Sequence, residues 1–219
     1  AILAALGLEQ WRAPAWRLAI ERAFVRRAHR IERNYNGGTT TQGVIAAAIA
    51  IVPPVLVVGL AWWALDTLHP MAALALDIAV LYALMGFRRF SHAVSAIVAA
   101  FRDNDLAAAR RELGAWRGSV SAELGSGDVA RLAIERGLGD AYRQVFAVLF
   151  WFAVLPGPIG AVLYRAAARL AQEWAPPVRG EDVAPPARER EVFGRPARRL
   201  LDALDWIPAR LTAIAFAAV

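Results

Sequence analysis

The stretch GVIAAAIAIVPPVLVVGLAWWAL, Gly43 to Leu65, decides the fold. It runs for 23 positions without a charged side chain. At 1.5 Å of rise per residue, a helix of that length covers the ~30 Å of hydrocarbon in a bilayer. Backbone inside hydrocarbon has to satisfy its own polar groups, so the stretch reads as a transmembrane helix over 43–65. Pro53 and Pro54 lie near its middle and predict a kink, because each removes a backbone donor.

Outward from this span, Asp66 to Pro70 (DTLHP) is a short turn without Arg, and a second apolar run, expected to be a transmembrane helix over 70–87, ends at Arg88-Arg89. The asymmetry puts the turn outside and the Arg-rich flanks in the cytoplasm. Upstream, NYNGGTTTQG (Asn34 to Gly43) is a turn that leads into the bilayer. Before it, Arg12, Arg17, Arg22, Arg26, Arg27, Arg30 and Arg33 alternate with Trp11, Trp16, Leu18, Ile20, Phe24, Val25 and Ile31. Region 10–42 is therefore expected to be a basic amphipathic helix at the membrane surface, followed by the turn. Residues 1–9 are expected to be the end of a first membrane helix whose beginning is missing.

Downstream, 88–143 holds nine Arg against seven acidic residues. Within it, Ser91 to Trp116 reads as two helical stretches separated by RDND, and a further helix is expected from Asp128, as N-cap, to Tyr142. This region is predicted to form a cytoplasmic helical layer. The segment 144–172 opens with QVFAVLFWFAVLPGPIGAVLY (Gln144 to Tyr164), which is long enough to span but is broken by Pro156-Gly157-Pro158. A full crossing puts the eight Arg from Arg165 to Arg199 outside, whereas a re-entrant hairpin keeps both Arg-rich loops inside; the hairpin is the favoured reading. Residues 173–200, rich in Pro and charge, are expected to be a flexible linker, and 201–219 a final membrane segment starting near Trp206-Ile207-Pro208.

Composition agrees with this layout. The chain is 58% hydrophobic with a mean hydropathy of +0.39, above the ~45–50% apolar content of soluble domains. The fold class predicted is an all-α, polytopic integral membrane protein of the bacterial inner (cytoplasmic) membrane, multi-pass, and not a soluble enzyme. The lipid bilayer is its expected partner, with a membrane protein or a second copy as a further one. The chain has no Cys, which excludes disulfides and thiolate chemistry within it. All 25 of its basic residues are Arg, so neither a Walker A loop nor a Schiff-base lysine is available. The pI near 10.8 does not imply nucleic acid, because Arg between membrane spans accounts for it.

Three stretches carry a resemblance: FRDNDLAAARRELGAWRG (Phe101 to Gly118), LFWFAVLPGPIGAVLYR (Leu149 to Arg165) and FGRPARRLLDALDWIPARLT (Phe193 to Thr212). Together with the Asn36 to Gly38 turn, they resemble the CobD/CbiB family of cobalamin-biosynthesis membrane proteins and its relative, the AmpE family linked to β-lactamase regulation. The CobD/CbiB resemblance implies ATP-dependent joining of an amino-propanol phosphate to adenosylcobyric acid, with Mg-ATP and a corrinoid as ligands. It also locates departures. Where the synthases carry an acidic, Asn-containing motif, this chain reads IERGLGDAYRQ (Ile134 to Gln144), which keeps Glu135 and lacks the Glu-Asn and Asp-Gly pairs. The early His-Pro is replaced by Arg12-Ala13-Pro14. In the late motif Asp202 is retained, while Leu201 and Asp205 stand where the family has Asp and Asn. These departures favour a non-catalytic or diverged sensing, regulatory or assembly component of AmpE type, for which no cofactor is expected. The synthase is the alternative.

Candidate residues follow from charge placed beside membrane. Glu135, Asp140, Asp202 and Asp205, with Arg131, Arg143 and Arg210, are expected either to line a polar cleft for an anionic or Mg²⁺-bearing ligand or to act as interfacial ion pairs. Arg210 is expected to pair with Asp205 or Glu135. Asp77, seven residues inside the second apolar run, is an intramembrane carboxylate of the kind that often has a function. Asp66, His69 and Asp77 match no metal-ligand spacing, and no metal site is expected.

Overall fold

The computed structural model describes residues 15–85, 87–118, 124–175 and 185–217, and all regular structure among them is helical. In chain order these are α1 (Ala15–Tyr35), α2 (Thr40–Leu68), α3 (Pro70–Leu84), α4 (Phe87–Arg102), α5 (Leu106–Arg117) and α6 (Ser126–Ala141). A π-helical turn (Tyr142–Phe146) follows, then α7 (Ala147–Val154), α8 (Ile159–Glu173) and α9 (Pro185–Ala217). The chain divides into two compact units, one holding α1–α3 and α7–α9, the other holding residues 85–146.

Helix α2 extends the predicted span at both ends. Thr39 caps it, its hydroxyl accepting from the Gln42 amide, and His69 closes it with an N–H bonded to the Leu65 carbonyl at 2.7 Å. Among the described residues it is the one helix long and apolar enough to cross a membrane, and only 22% of its most apolar window is buried. Val57, Leu60 and Trp63 are each more than 60% exposed. A core helix of a water-soluble domain hides such a surface, whereas lipid covers it at no cost. Helix α3 is apolar too, but its 15 residues reach about 22 Å, short of the ~30 Å of hydrocarbon. Where the sequence reading expects several spans, the described residues thus hold one helix of full membrane length.

Helix α8 is the centre of the first unit. Nine of its 15 residues are buried, six of them Gly or Ala among Val162, Tyr164 and Leu170. Small side chains let neighbouring backbones approach closely, and α1, α2, α3, α7 and α9 all pack against it. The apolar stretch 144–164 is not one straight helix. It passes through the π-helical turn, forms the eight-residue α7, breaks at Leu155 to Pro158 and resumes as α8, which packs on α7. Gly157 makes the break with φ of +61°, and a Cβ there would lie 2.5 Å from the Trp62 indole.

Three expectations need correction. The linker predicted over 173–200 is helix from Pro185, and the final segment predicted from 201 does not begin separately, since α9 runs for 33 residues through Pro196 and Pro208. Phe193, Ala197, Leu201 and Leu204 are buried at helical spacing along it. Burial of that stripe outweighs two prolines whose local effect on an isolated helix is disruptive. The density of Pro and charge obscured the period. Further upstream, α6 is capped by Gly125, and Asp128 sits in its first turn, where a carboxylate faces the positive end of the helix dipole. The expected end of a first membrane helix at 1–9 lies outside the described residues.

The second unit packs α4, α5 and α6 around Ile97, Ala100, Ala109, Leu113, Val129 and Ala133. The RDND break is as predicted: Asn104 takes the left-handed conformation (φ 55°), and Asp105 caps α5 by accepting from the Ala108 amide at 2.8 Å.

Gly157→Ala is expected to destabilise the protein by about 1–3 kcal/mol through backbone strain and the indole contact, seen as a lower thermal midpoint in detergent. Gly127→Ala, where a Cβ meets nothing within 4 Å, is expected to leave the midpoint unchanged or raise it slightly.

Candidate functional site

Helix α6 places Glu135, Arg136 and Asp140 along one stripe, and the chain continues into Tyr142 and Arg143 at the start of the π-helical turn. Single π-helical turns inside α-helices recur at functional sites. These five residues, with Leu132, Gly139 and Arg117 from the end of α5, line an open cavity of about 350 Å³. Arg117 is held there because Gly118 ends α5 in the left-handed conformation, with φ of 100°.

The wiring of the cavity is specific. The Trp116 indole N–H donates to Asp140 Oδ2 at 3.0 Å, and Arg136 Nε lies 3.6 Å from the same oxygen. Asp140 is therefore engaged within the protein. Glu135 is exposed and makes no ion pair among the described residues. The lining thus presents three guanidiniums and the phenol Tyr142 around one available carboxylate. Guanidiniums match the planar, bidentate geometry of carboxylate and phosphate, so the cavity suits an anionic ligand. One carboxylate plus ligand phosphates is also a donor set of the kind Mg²⁺ accepts.

Of the seven residues predicted to form one cleft, Glu135, Asp140 and Arg143 line the cavity just described, Arg131 lies on α6, and Asp202, Asp205 and Arg210 lie on α9. On α9 the polar groups serve packing. Asp205 accepts from the hydroxyl of the buried Tyr164 at 2.8 Å, and the Trp151 indole N–H donates to the Leu204 carbonyl at 3.1 Å, tying α9 to α8 and α7. Among the described residues Arg210 does not form the carboxylate pair expected of it. Its guanidinium stacks 4.0 Å over the Trp206 ring and donates to the Trp206 carbonyl at 3.0 Å. One turn of helix brings Trp206 within reach, while Asp205 is turned towards α8. Asp202 and Arg131 are exposed, and Arg131 does not line the cavity.

Asp77 sits half-buried in α3, where, among the described residues, its Oδ1 and the Nε1 of Trp62 on α2 are both shielded from solvent without a hydrogen bond of ordinary length. Asp66 and His69 belong to the end of α2.

Arg117, Arg136 and Tyr142 were not singled out in the sequence, although they share a helical stripe or a helix end with residues that were. A second missed cluster joins Glu21 of α1 to Arg169 and Arg165 of α8, the latter at 3.9 Å. Its signal was two Arg at i, i+4 in an otherwise alanine-rich helix.

A family profile described as "CobD/Cbib protein" matches residues 2–219. Among curated proteins, a cobalamin biosynthesis protein CobD of Stutzerimonas stutzeri is 35% identical over 199 residues, covering 89% of this chain and 61% of the relative. One of the same name from Chromobacterium violaceum is 36% identical over 176 residues, covering 80% of this chain and 51% of the relative. The chain thus spans roughly half to three-fifths of the length of these relatives. No solved structure matches it.

Asp140→Ala leaves the Trp116 N–H without its acceptor and is expected to destabilise the second unit by about 1–3 kcal/mol. Glu135→Gln, on an exposed group with no ion pair, is expected to stay within about 0.5 kcal/mol of the parent. Chemical denaturation followed by Trp fluorescence separates the two, and equal effects would contradict the wiring described.

Proposed function

The chain belongs to the CobD/CbiB family, and from that premise we propose that it acts in cobalamin biosynthesis as an ATP-dependent adenosylcobinamide-phosphate synthase, forming an amide bond at the bacterial inner membrane. The observation that carries this reading is the composition of the cavity in the second unit. Residues 134–144, the register in which the resemblance places the synthases' acidic motif, supply Glu135, Arg136, Asp140, Tyr142 and Arg143 to its wall.

Joining a carboxylate to an amine requires activation of the carboxylate, and ATP supplies it. The residues suited to the phosphates are Arg117, Arg136 and Arg143, with Glu135 as the carboxylate for Mg²⁺. Lost Glu-Asn and Asp-Gly pairs weighed against catalysis in the sequence alone. The cavity keeps one available carboxylate amid guanidiniums, and the relatives matched are named for cobalamin biosynthesis. The synthase therefore replaces the sensing, regulatory or assembly role as the leading reading. The proposal includes a multi-pass arrangement with 88–143 and 165–200 on the cytoplasmic side, where ATP is found.

Expression in a cell lacking its own synthase tests this directly. Growth on cobyric acid is expected to be restored, and Arg143→Ala is expected to lower conversion to cobinamide by roughly 10²-fold, the scale of removing one charge-stabilising donor. No rescue at a normal membrane level would sink the reading and leave a diverged, non-catalytic component.

A further inference from the structure

A second cavity lies wholly within the first unit. It measures about 240 Å³ and is walled by four helices: α1 through Phe24 and Val25, α2 through Pro54 and Val58, α3 through Val80 and Leu84, and α8 through Val162 and Ala166. Among the described residues its lining is apolar except at one edge, where Glu21, Arg165 and Arg169 carry charge. Glu21 bridges the two guanidiniums, and the side chains of Arg165 and Arg169 are only 14% and 24% exposed.

We propose that this cavity binds an anionic phospholipid of the surrounding bilayer, with part of one acyl chain between α1, α2, α3 and α8 and the headgroup phosphate against Arg165 and Arg169. The inference rests on membrane residence of α2 and is independent of the synthase reading.

Three observations select this occupant. The cavity falls below the ~300–1,000 Å³ of typical small-molecule pockets, so it takes a chain segment and not a whole polar metabolite. The guanidiniums of Arg165 and Arg169 at its edge supply the N–H donors that a headgroup phosphodiester accepts. Helix α1, which supplies one wall, exposes Arg22, Arg26, Arg27, Arg30 and Arg33. An Arg-rich helix at the interface is drawn to anionic lipid, at about 1 kcal/mol per basic residue near the surface. Arginines between membrane helices beside an apolar cleft are the form that headgroup pockets take.

The test uses the delipidated full chain in detergent, titrated with phosphatidylglycerol, with phosphatidylcholine of the same acyl chains, or with inorganic phosphate. Binding is read by native mass spectrometry and thermal midpoint. Phosphatidylglycerol is expected to raise the midpoint by roughly 5 °C or more, with phosphatidylcholine and phosphate having little effect. The triple variant Glu21→Gln/Arg165→Gln/Arg169→Gln removes the charges together, so that no lone carboxylate is stranded, and is expected to bind phosphatidylglycerol at least tenfold more weakly. Val80→Phe fills the apolar part with the charged edge intact and is expected to lose the stabilisation as well, which keeps the test decisive if the triple variant fails to fold. Equal shifts from both lipids, a shift from phosphate alone, or undiminished phosphatidylglycerol binding in Val80→Phe would overturn the proposal.

Discussion

Helix α8 has to be buried around most of its circumference, and the first unit is organised by that need. Its alanines offer little apolar area of their own, but they let α2, α7 and α9 come close enough for their backbones to approach. Close packing of small side chains and hydrogen bonds between helices hold the unit together. The Tyr164–Asp205 and Trp151–Leu204 bonds therefore stand at the points where α9 crosses α8 and α7. Gly43 follows the same logic, since a Cβ there would run into the Phe193 carbonyl of α9.

The polar chemistry is segregated from this packing. Asp205 on α9, which looked like a ligand group, is used to hold helices. The cluster suited to an anion lies in the second unit, where three short helices with an ordinary apolar core present Arg117, Arg136 and Arg143 on one cavity. Membership of the CobD/CbiB family gives that cavity its chemical context.

Much of the fold was legible because hydrophobic length and turn residues are local signals. The apolar stretch 43–65, the NGG turn, the RDND break and the Pro-Gly-Pro break all appear where their residues require them. Helix α9 was not legible in full, because its buried stripe is interrupted by charge and by Pro196. The short reach of α3 was overestimated for a related reason: the apolar run continues to Phe87, but the helix stops at Leu84. For the site, charge beside membrane named three residues that line the cavity and could not separate them from Asp202, Asp205 and Arg210. That distinction depends on which helix each carboxylate turns towards, and a sequence spacing does not encode it. The regulatory expectation arose from missing motif residues, and motif letters do not register guanidiniums supplied from a different helix.

The central claim, that close packing around α8 holds the first unit together, is tested most directly by one pair of substitutions. Ala167 is completely buried in α8, whereas Ala48 lies exposed on α2. Ala167→Leu is expected to overpack the unit and cost about 1–3 kcal/mol, lowering the thermal midpoint in detergent, while Ala48→Leu leaves it unchanged. Equal midpoints for the two variants would contradict the account.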